Sequence, residues 1–422
     1  MIQISSILRN TILTSMLIMP SVAGASGRAK ESHVVPRART SAHHAHLAVA
    51  STHAAAAHAI GHSARSAHPA GAVATTRLIR GANGRLVRVR LKHHSTERFY
   101  ASSFSDNLTS GDVIDGEDPV VRAAAVEALG NMNGTALAID PATGRILAMV
   151  NQKLALSSGA EPCSTIKLTV ALAALQEGII TRETPVALGG GYHLNLTEAL
   201  AHSNNLYFET LGRSLGFERV KHYANQLGLG ELAGYNISGE QLGTYPDQEL
   251  PAAMGGVGRM CSFGEGVSMT PLQLGAIVSA IANGGTLFYL QHPTNPDEVA
   301  ALHPMVKRTL QIGSLIPEMQ DGMHAATMYG TARSLRANFR EFPVMGKTGT
   351  CSNNGTRFGW FGAYADTPNG RIVTVIFLEG GRPTFGPKAA ELTGQFYRSL
   401  YDHKYFDAKP VALTAEITAG SM

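Results

Sequence analysis

The chain has 422 residues, 44% hydrophobic and 16% charged, with a formal net charge of +4. This is enough apolar material for one large core or two modest ones, which excludes a chain too short or too polar to build an enzyme interior. The weak positive balance does not by itself mark a nucleic-acid binder, because the charge is unevenly distributed.

In chain order, Met1 to Arg9 is a basic start, Thr11 to Met19 an apolar run, and Val22-Ala23-Gly24-Ala25 a small-residue site. Together they predict a secretory signal over residues 1–25. An uncleaved membrane anchor is the competing reading, but Pro20 interrupts a run already short of the roughly 20 apolar residues a span needs. No later stretch is long and apolar enough to cross a membrane. Residues 26–100 are rich in Ala, Ser and His and are expected to form a disordered basic tether. Residues 26–98 hold ten of the 17 histidines, and twelve of the 35 Lys and Arg against two of the 31 acidic residues. The rest of the chain is therefore net acidic. Such a tether suits an anionic wall or membrane surface, and export argues against nucleic acid. The irregularly spaced histidines read as solvated linker rather than metal ligands.

Globular patterning is strong from about residue 119, and a domain is placed at 115–408, followed by a short tail, 409–422. Pro119 to Leu129 has helical spacing and stops at Gly130. Thr135 to Asp140 and Arg145 to Val150 read as strands around the turn 141–144. Thr165 to Gln176, apolar nearly all round, reads as a buried helix ending at Gly178. Helix signals with glycine breaks fill 197–285, including Thr270 to Asn283. Phe358 to Ala365 and Arg371 to Glu379 read as paired strands, and Lys388 to Tyr401 as a closing helix. The expected class is α/β (α+β): a sheet flanked by terminal helices, with a mainly helical lobe inserted.

Three segments carry chemistry. In Cys163-Ser164-Thr165-Ile166-Lys167, Ser164 and Lys167 lie three residues apart on one helical face and can hydrogen-bond. A hydroxyl needs a base to become a nucleophile, and lysine serves only if burial and the helix terminus depress its pKa. Val344-Met345-Gly346-Lys347-Thr348-Gly349-Thr350 is an extended edge segment with a cation and two hydroxyls, fit to grip a carboxylate. Ser203-Asn204-Asn205 lies between them. Ser-x-x-Lys alone is a short motif that arises by chance, and Ser-x-Asn also occurs at 105–107 and 352–354.

Ser-x-x-Lys, Ser-x-Asn and Lys-Thr-Gly in this order resemble the signature of penicillin-binding proteins and serine β-lactamases. The resemblance extends from about 119 to 405, through Ala138 to Ala148, Gly228-Leu-Gly230, Gly239-Glu240, Ser262 to Gly266, Met269 to Gln273, Ala282 to Gly285, Gly330-Thr-Ala332 and Trp360-Phe-Gly362. It implies a β-lactamase/transpeptidase-like fold with its site between sheet and helical lobe. It also implies that Ser164 attacks a D-alanyl-D-alanine amide while Lys167 takes the proton. Ser203 and Lys347 would relay a proton to the leaving amine, and Asn205 would hold the peptide amide. Thr348, Gly349 and Thr350 would line the carboxylate site, and the N–H groups of Ser164 and Thr350 would form an oxyanion hole. Cys163 stands where transpeptidases usually have glycine, and Glu265 where Gln, Tyr or His is commoner. The implied ligands are peptidoglycan stem peptides and β-lactams. No metal or organic cofactor is implied.

Of the three cysteines, Cys163 precedes Ser164 and Cys351 follows Lys-Thr-Gly-Thr. Certain carbapenem-hydrolysing β-lactamases carry a bridge between such positions, and that resemblance implies a Cys163–Cys351 disulfide; two buried free thiols are the alternative. Cys261 is left unpaired and buried. The leading expectation is a D,D-transpeptidase or D,D-carboxypeptidase, with a serine β-lactamase as alternative, Glu240 then being the candidate base, and a non-catalytic sensor as a third reading.

Overall fold

A computed structural model describes residues 76–80, 86–90 and 98–407. The first two ranges are strands, Thr76–Arg80 and Leu86–Arg90, paired antiparallel with Thr76 opposite Arg90 and Arg80 opposite Leu86. At these ten residues the expected disordered tether is corrected. Leu, Ile and Val interleaved with Arg flank a Gly-Ala-Asn-Gly stretch, which is a hairpin pattern that the Ala- and His-rich surroundings obscure. The remainder of the tether, the expected signal 1–25 and the tail 409–422 lie outside the described residues.

The folded unit also reaches further toward the N-terminus than residue 115. The Tyr100 N–H donates to the Gly355 carbonyl at 2.9 Å, and Gly381 N–H donates to Ser103 Oγ at 2.7 Å. Asp112 pairs with Arg122 at 2.6 Å and accepts from the N–H groups of Asn151 and Gln152. This segment is held by individual polar contacts rather than by a periodic apolar face, so hydrophobic periodicity does not reveal it.

Helix α1, Pro119–Leu129, starts at Asp118, whose carboxylate accepts from the N–H groups of Val120 and Val121. Proline at the first turn costs no hydrogen bond there. Strands β1 (Gly134–Asp140) and β2 (Arg145–Val150) form the expected hairpin. Helix α2, Lys167–Gln176, follows a 3₁₀ turn at Cys163–Ile166, so Ser164 sits in the tighter turn that leads into the expected helix. The inserted lobe contains α3 (Asn205–Leu215), α4 (Gly256–Phe263), α5 (Pro271–Ala282) and α6 (Ile316–Met328). Strands β3 (Val344–Asn353), β4 (Thr356–Thr367) and β5 (Gly370–Gly380) precede the closing helix α7, Gly386–Asp402.

The five strands form one antiparallel sheet in the order β2-β1-β5-β4-β3, which leaves β3 at an edge. Alternation along β1 and β5 divides the core. Leu137, Ile139, Val373, Val375 and Phe377 join α2, α3 and α5 on one face. Ala136, Ala138, Ile372, Ile376 and Leu378 join α1 and α7 on the other. The two-residue period of a strand is what lets one sheet seed two cores. All twelve residues of α5 are buried, and this helix lies so close to β4 that a Cβ at Gly362 would sit 3.0 Å from Leu274 Cγ. The expected α/β class, with helices on both faces and a helical lobe inserted between β2 and β3, is the architecture observed.

Candidate active site

The three motif segments converge where the 3₁₀ turn, the α3 N-terminus and edge strand β3 meet. Lys167 Nζ lies 3.0 Å from Ser164 Oγ, 3.0 Å from Ser203 Oγ, 2.8 Å from the Ser203 carbonyl and 2.7 Å from Asn205 Oδ1. From the other side, Lys347 Nζ donates to Ser203 Oγ at 2.8 Å and to the Thr348 carbonyl at 3.0 Å. The Ser203 hydroxyl therefore bridges two lysines. All five candidates form one connected cluster, with Ser164 at one end and Lys347 at the other.

Local backbone chemistry explains how the middle motif reaches this point. Ser203 has φ of +53°, in the left-handed region, which turns both its carbonyl and its hydroxyl toward Lys167. Asn204 then caps α3, its Oδ1 accepting from the Tyr207 N–H at 2.9 Å. Asn205 follows as the first helical residue. An Asn cap satisfies an otherwise unpaired helix-terminal donor, and so holds the start of α3 in place.

Both lysine side chains are fully buried. Burial pushes Lys167 well below the ordinary lysine range, the nearby positive charge of Lys347 lowers it further, and Glu209 partly opposes the shift. Burial alone brings Lys347 down to about 7. Hydrogen-bond capacity gives the same picture. A neutral amine has two N–H donors and one lone pair. The Ser203 carbonyl and Asn205 Oδ1 can only accept, so they take the two N–H groups. The lone pair is then left facing the Ser164 and Ser203 hydroxyls. A neutral Lys167 in this position can accept the proton of an attacking Ser164 Oγ.

On β3, the Thr348 hydroxyl donates to Thr331 Oγ1 at 2.7 Å, and Thr350 Oγ1 accepts from the Gly386 N–H at 2.8 Å. Gly349 lies where the strand passes the turn: a Cβ there would come within 2.8 Å of the Pro162 carbonyl. Cys163 and Cys351 form a disulfide with their Cα atoms 5.5 Å apart. Cys261 is a buried free thiol, and burial pushes its pKa up to about 12.

Some neighbours carried no assigned role in the sequence. Thr331 supports Thr348; its Gly-Thr-Ala setting is the only signal that marked it. Trp360 Nε1 donates to the Glu161 carbonyl at 3.0 Å and so braces the turn from β4. Glu161 is pushed up to about 7, first by burial and then by Glu265, while Arg259 opposes. Arg259 pairs with Glu265 at 2.9 Å. Glu240, the candidate base of the β-lactamase alternative, has both carboxylate oxygens engaged by the N–H groups of Ala233 and Gly234. It ties its own loop and lines a cavity with Tyr235, Tyr289 and Lys307.

The family model for the penicillin binding protein transpeptidase domain matches residues 134–398. Stage V sporulation protein D of Bacillus subtilis is 28% identical over 318 residues, covering 62% of this chain and 48% of that protein. Peptidoglycan D,D-transpeptidase MrdA of Acinetobacter baumannii is 25% identical over 353 residues, covering 64% and 51%. This chain thus spans about half the length of these curated relatives. In fold, it is similar to the transpeptidase domain of Burkholderia pseudomallei penicillin-binding protein 3, with a TM-score of 0.57 at 21% identity over 74% of this chain and 98% of that one. It is similar also to a peptidoglycan glycosyltransferase structure from Burkholderia ambifaria, with a TM-score of 0.58 at 20% identity over 70% and 99%. The matched region is well over half of the sequence and contains the whole Ser164, Lys167, Ser203, Lys347 cluster, and the chain belongs to the penicillin-binding protein transpeptidase domain family.

Proposed function

We propose that this chain is a serine D,D-transpeptidase or D,D-carboxypeptidase that acts on peptidoglycan stem peptides through an acyl-enzyme on Ser164. The observation that carries the reading is the contact of a buried, pKa-depressed Lys167 with Ser164 at 3.0 Å, continued through Ser203 to Lys347.

Ser164 Oγ attacks the carbonyl carbon of the penultimate D-alanine as its proton passes to Lys167 Nζ. The C–N bond then breaks, and the departing D-alanine amine takes a proton delivered through Ser203, which Lys347 orients. An incoming amine completes transpeptidation; water completes carboxypeptidation. Asn205 holds the peptide amide through its NH₂ group, because its Oδ1 is engaged by Lys167. The Thr350 hydroxyl, the Thr348 hydroxyl once its proton turns from Thr331, and the cationic form of Lys347 receive the terminal carboxylate. The N–H groups of Ser164 and Thr350 hold the oxyanion. In a β-lactam the leaving nitrogen stays tethered to the acyl group, so the acyl-enzyme should persist. Fast β-lactam hydrolysis is disfavoured by Glu240, whose carboxylate is engaged within its own loop.

We also propose that residues 1–25 direct export and that the basic stretch 26–98 acts as a tether toward an anionic wall or membrane surface, with 409–422 a short tail. No helix among the described residues is long and apolar enough to cross a membrane.

Intact-protein mass spectrometry after addition of benzylpenicillin tests the assignment. A lasting adduct of one drug mass is expected on the wild type and none on Ser164→Ala. An adduct on the variant would move the nucleophile elsewhere. Rapid loss of the wild-type adduct with turnover of drug would make the chain a β-lactamase.

A further inference from the structure

The residue immediately before Ser164 has an unfavourable backbone. Cys163 has φ of +52°, in the left-handed region. There a side-chain Cβ crowds the following carbonyl, and glycine is the residue that enters freely. The peptide unit between 163 and 164 carries the Ser164 N–H, so the conformation of Cys163 sets both that donor and the start of the Ser164 turn. Cys163 is fully buried, and its sulfur is bonded to Cys351, the residue directly after Thr350 on β3.

Other contacts hold the same turn. Trp360 Nε1 donates to the Glu161 carbonyl at 3.0 Å, and the Thr165 hydroxyl donates to the Pro162 carbonyl at 2.7 Å. Gly349 allows β3 to approach the Pro162 carbonyl. These act at residues 161, 162 and 165. The disulfide acts at residue 163 itself, where the backbone is disfavoured, and among these ties it is the covalent one.

We propose that Cys163 and Cys351 are a positioning pair: the bridge holds a Cβ-bearing residue in the left-handed conformation that glycine would adopt unaided, and so keeps Ser164 in register with Thr350 for acylation. This rests on Ser164 being the nucleophile. Without the bridge, a side chain at 163 favours relaxation out of the left-handed region, carrying the Ser164 hydroxyl and N–H away from β3. The bridge touches neither substrate nor reacting atoms; it acts through the geometry of Ser164 and Thr350. A displacement on the order of 1 Å at a reacting group lowers rates by about 100-fold.

The test is the rate of acylation of the full chain by benzylpenicillin, measured across drug concentrations for the wild type, Cys351→Ala, Cys163→Ala with Cys351→Ala, and Cys163→Gly with Cys351→Ala. Circular dichroism first establishes that each variant is folded at the assay temperature. Cys351→Ala and the alanine double variant are expected to lose about 100-fold in the limiting acylation constant, with the half-saturating drug concentration changed by less than about twofold. The glycine double variant is expected to recover at least about tenfold of that loss, since glycine enters the left-handed region freely. Both double variants lack the same cross-link, so loss of the tie between distant segments alone would slow them equally. Equal slowing overturns the proposal, as does acylation of Cys351→Ala at the wild-type rate. A wild type that takes no adduct overturns the Ser164 reading itself, which separates the two failures.

Discussion

At the scale of single residues, the site is organised by how two buried lysines share one serine hydroxyl. With Ser203 Oγ 3.0 Å from Lys167 and 2.8 Å from Lys347, two full positive charges on one bridging group would repel in a dry setting. The pair should titrate in coupled steps. Lys347 is held at about 7 and Lys167 well below the lysine range, so both take up protons as pH falls. Benzylpenicillin acylation should therefore fall on acidification as Lys167 takes up its proton, whereas a rate that stays flat on acidification would mean that neutral Lys167 is not required. Above about 7 the Lys347 cation is lost, and the half-saturating drug concentration should rise with pH. Lys167→Ala should slow acylation by about 10²- to 10⁴-fold, the usual contribution of a positioned base; a wild-type rate in stopped-flow measurements would remove Lys167 from the mechanism.

Glu161 has the opposite sign. Its folded pKa is raised to about 7 from 4.5. The folded state then binds the proton more tightly than the unfolded chain does, and stability falls as pH rises between those values. Glu161→Gln should raise the melting temperature at pH 8 relative to the wild type, with little gain near pH 4.5. An equal gain at both pH values would show that ionisation of this carboxyl is not the cause.

At the scale of elements, one helix cap should have a catalytic consequence and another only a structural one. Asn204 caps α3 between Ser203 and Asn205. Thr270 caps α5 through a capping box with Gln273. Removing either with alanine should lower unfolding free energy by about 1 kcal/mol in urea titrations. Only Asn204→Ala should also slow acylation, because it frees the turn that aims Ser203 at both lysines. Equal acylation by the two variants would show that α3 is positioned by its packing rather than by its cap. The elements themselves were largely legible. Pro119 to Leu129 and Arg145 to Val150 fall where their patterns place them, since proline, glycine and apolar spacing are local signals. The Thr76–Arg80 and Leu86–Arg90 strands were not, because their pattern is brief and set in low-complexity surroundings. The stretch from Tyr100 to Ile114 is not legible in the sequence because Ser103 and Asp112 hold it by polar contacts with partners distant in sequence.

At the scale of the whole molecule, the disulfide closes a chain separation of 188 residues, running from the entry to α2 across the entire helical lobe to β3. A cross-link over so long a loop removes much unfolded-state freedom. Cys351→Ala should lower unfolding free energy by about 2 to 5 kcal/mol, read as a shift in urea midpoint under non-reducing conditions. No shift would mean that the unfolded chain is already constrained there.

The sequence alone determined the class of fold, the ends of most helices and strands, and the pairing of Ser164 with Lys167 three residues away. Each of these is written in local spacing, the 3.6-residue and two-residue periods and their stop signals. Only the tertiary structure decided that Ser203, 36 residues beyond Lys167, and Lys347, 144 residues further on, share one hydroxyl. It alone placed Thr331 beneath Thr348, engaged Glu240 within its own loop, and put Cys163 in the left-handed region beside its partner. Those facts depend on which surfaces pack together and how far each is buried, and burial, which sets the lysine pKa values, is a property of the closed core and of no single segment.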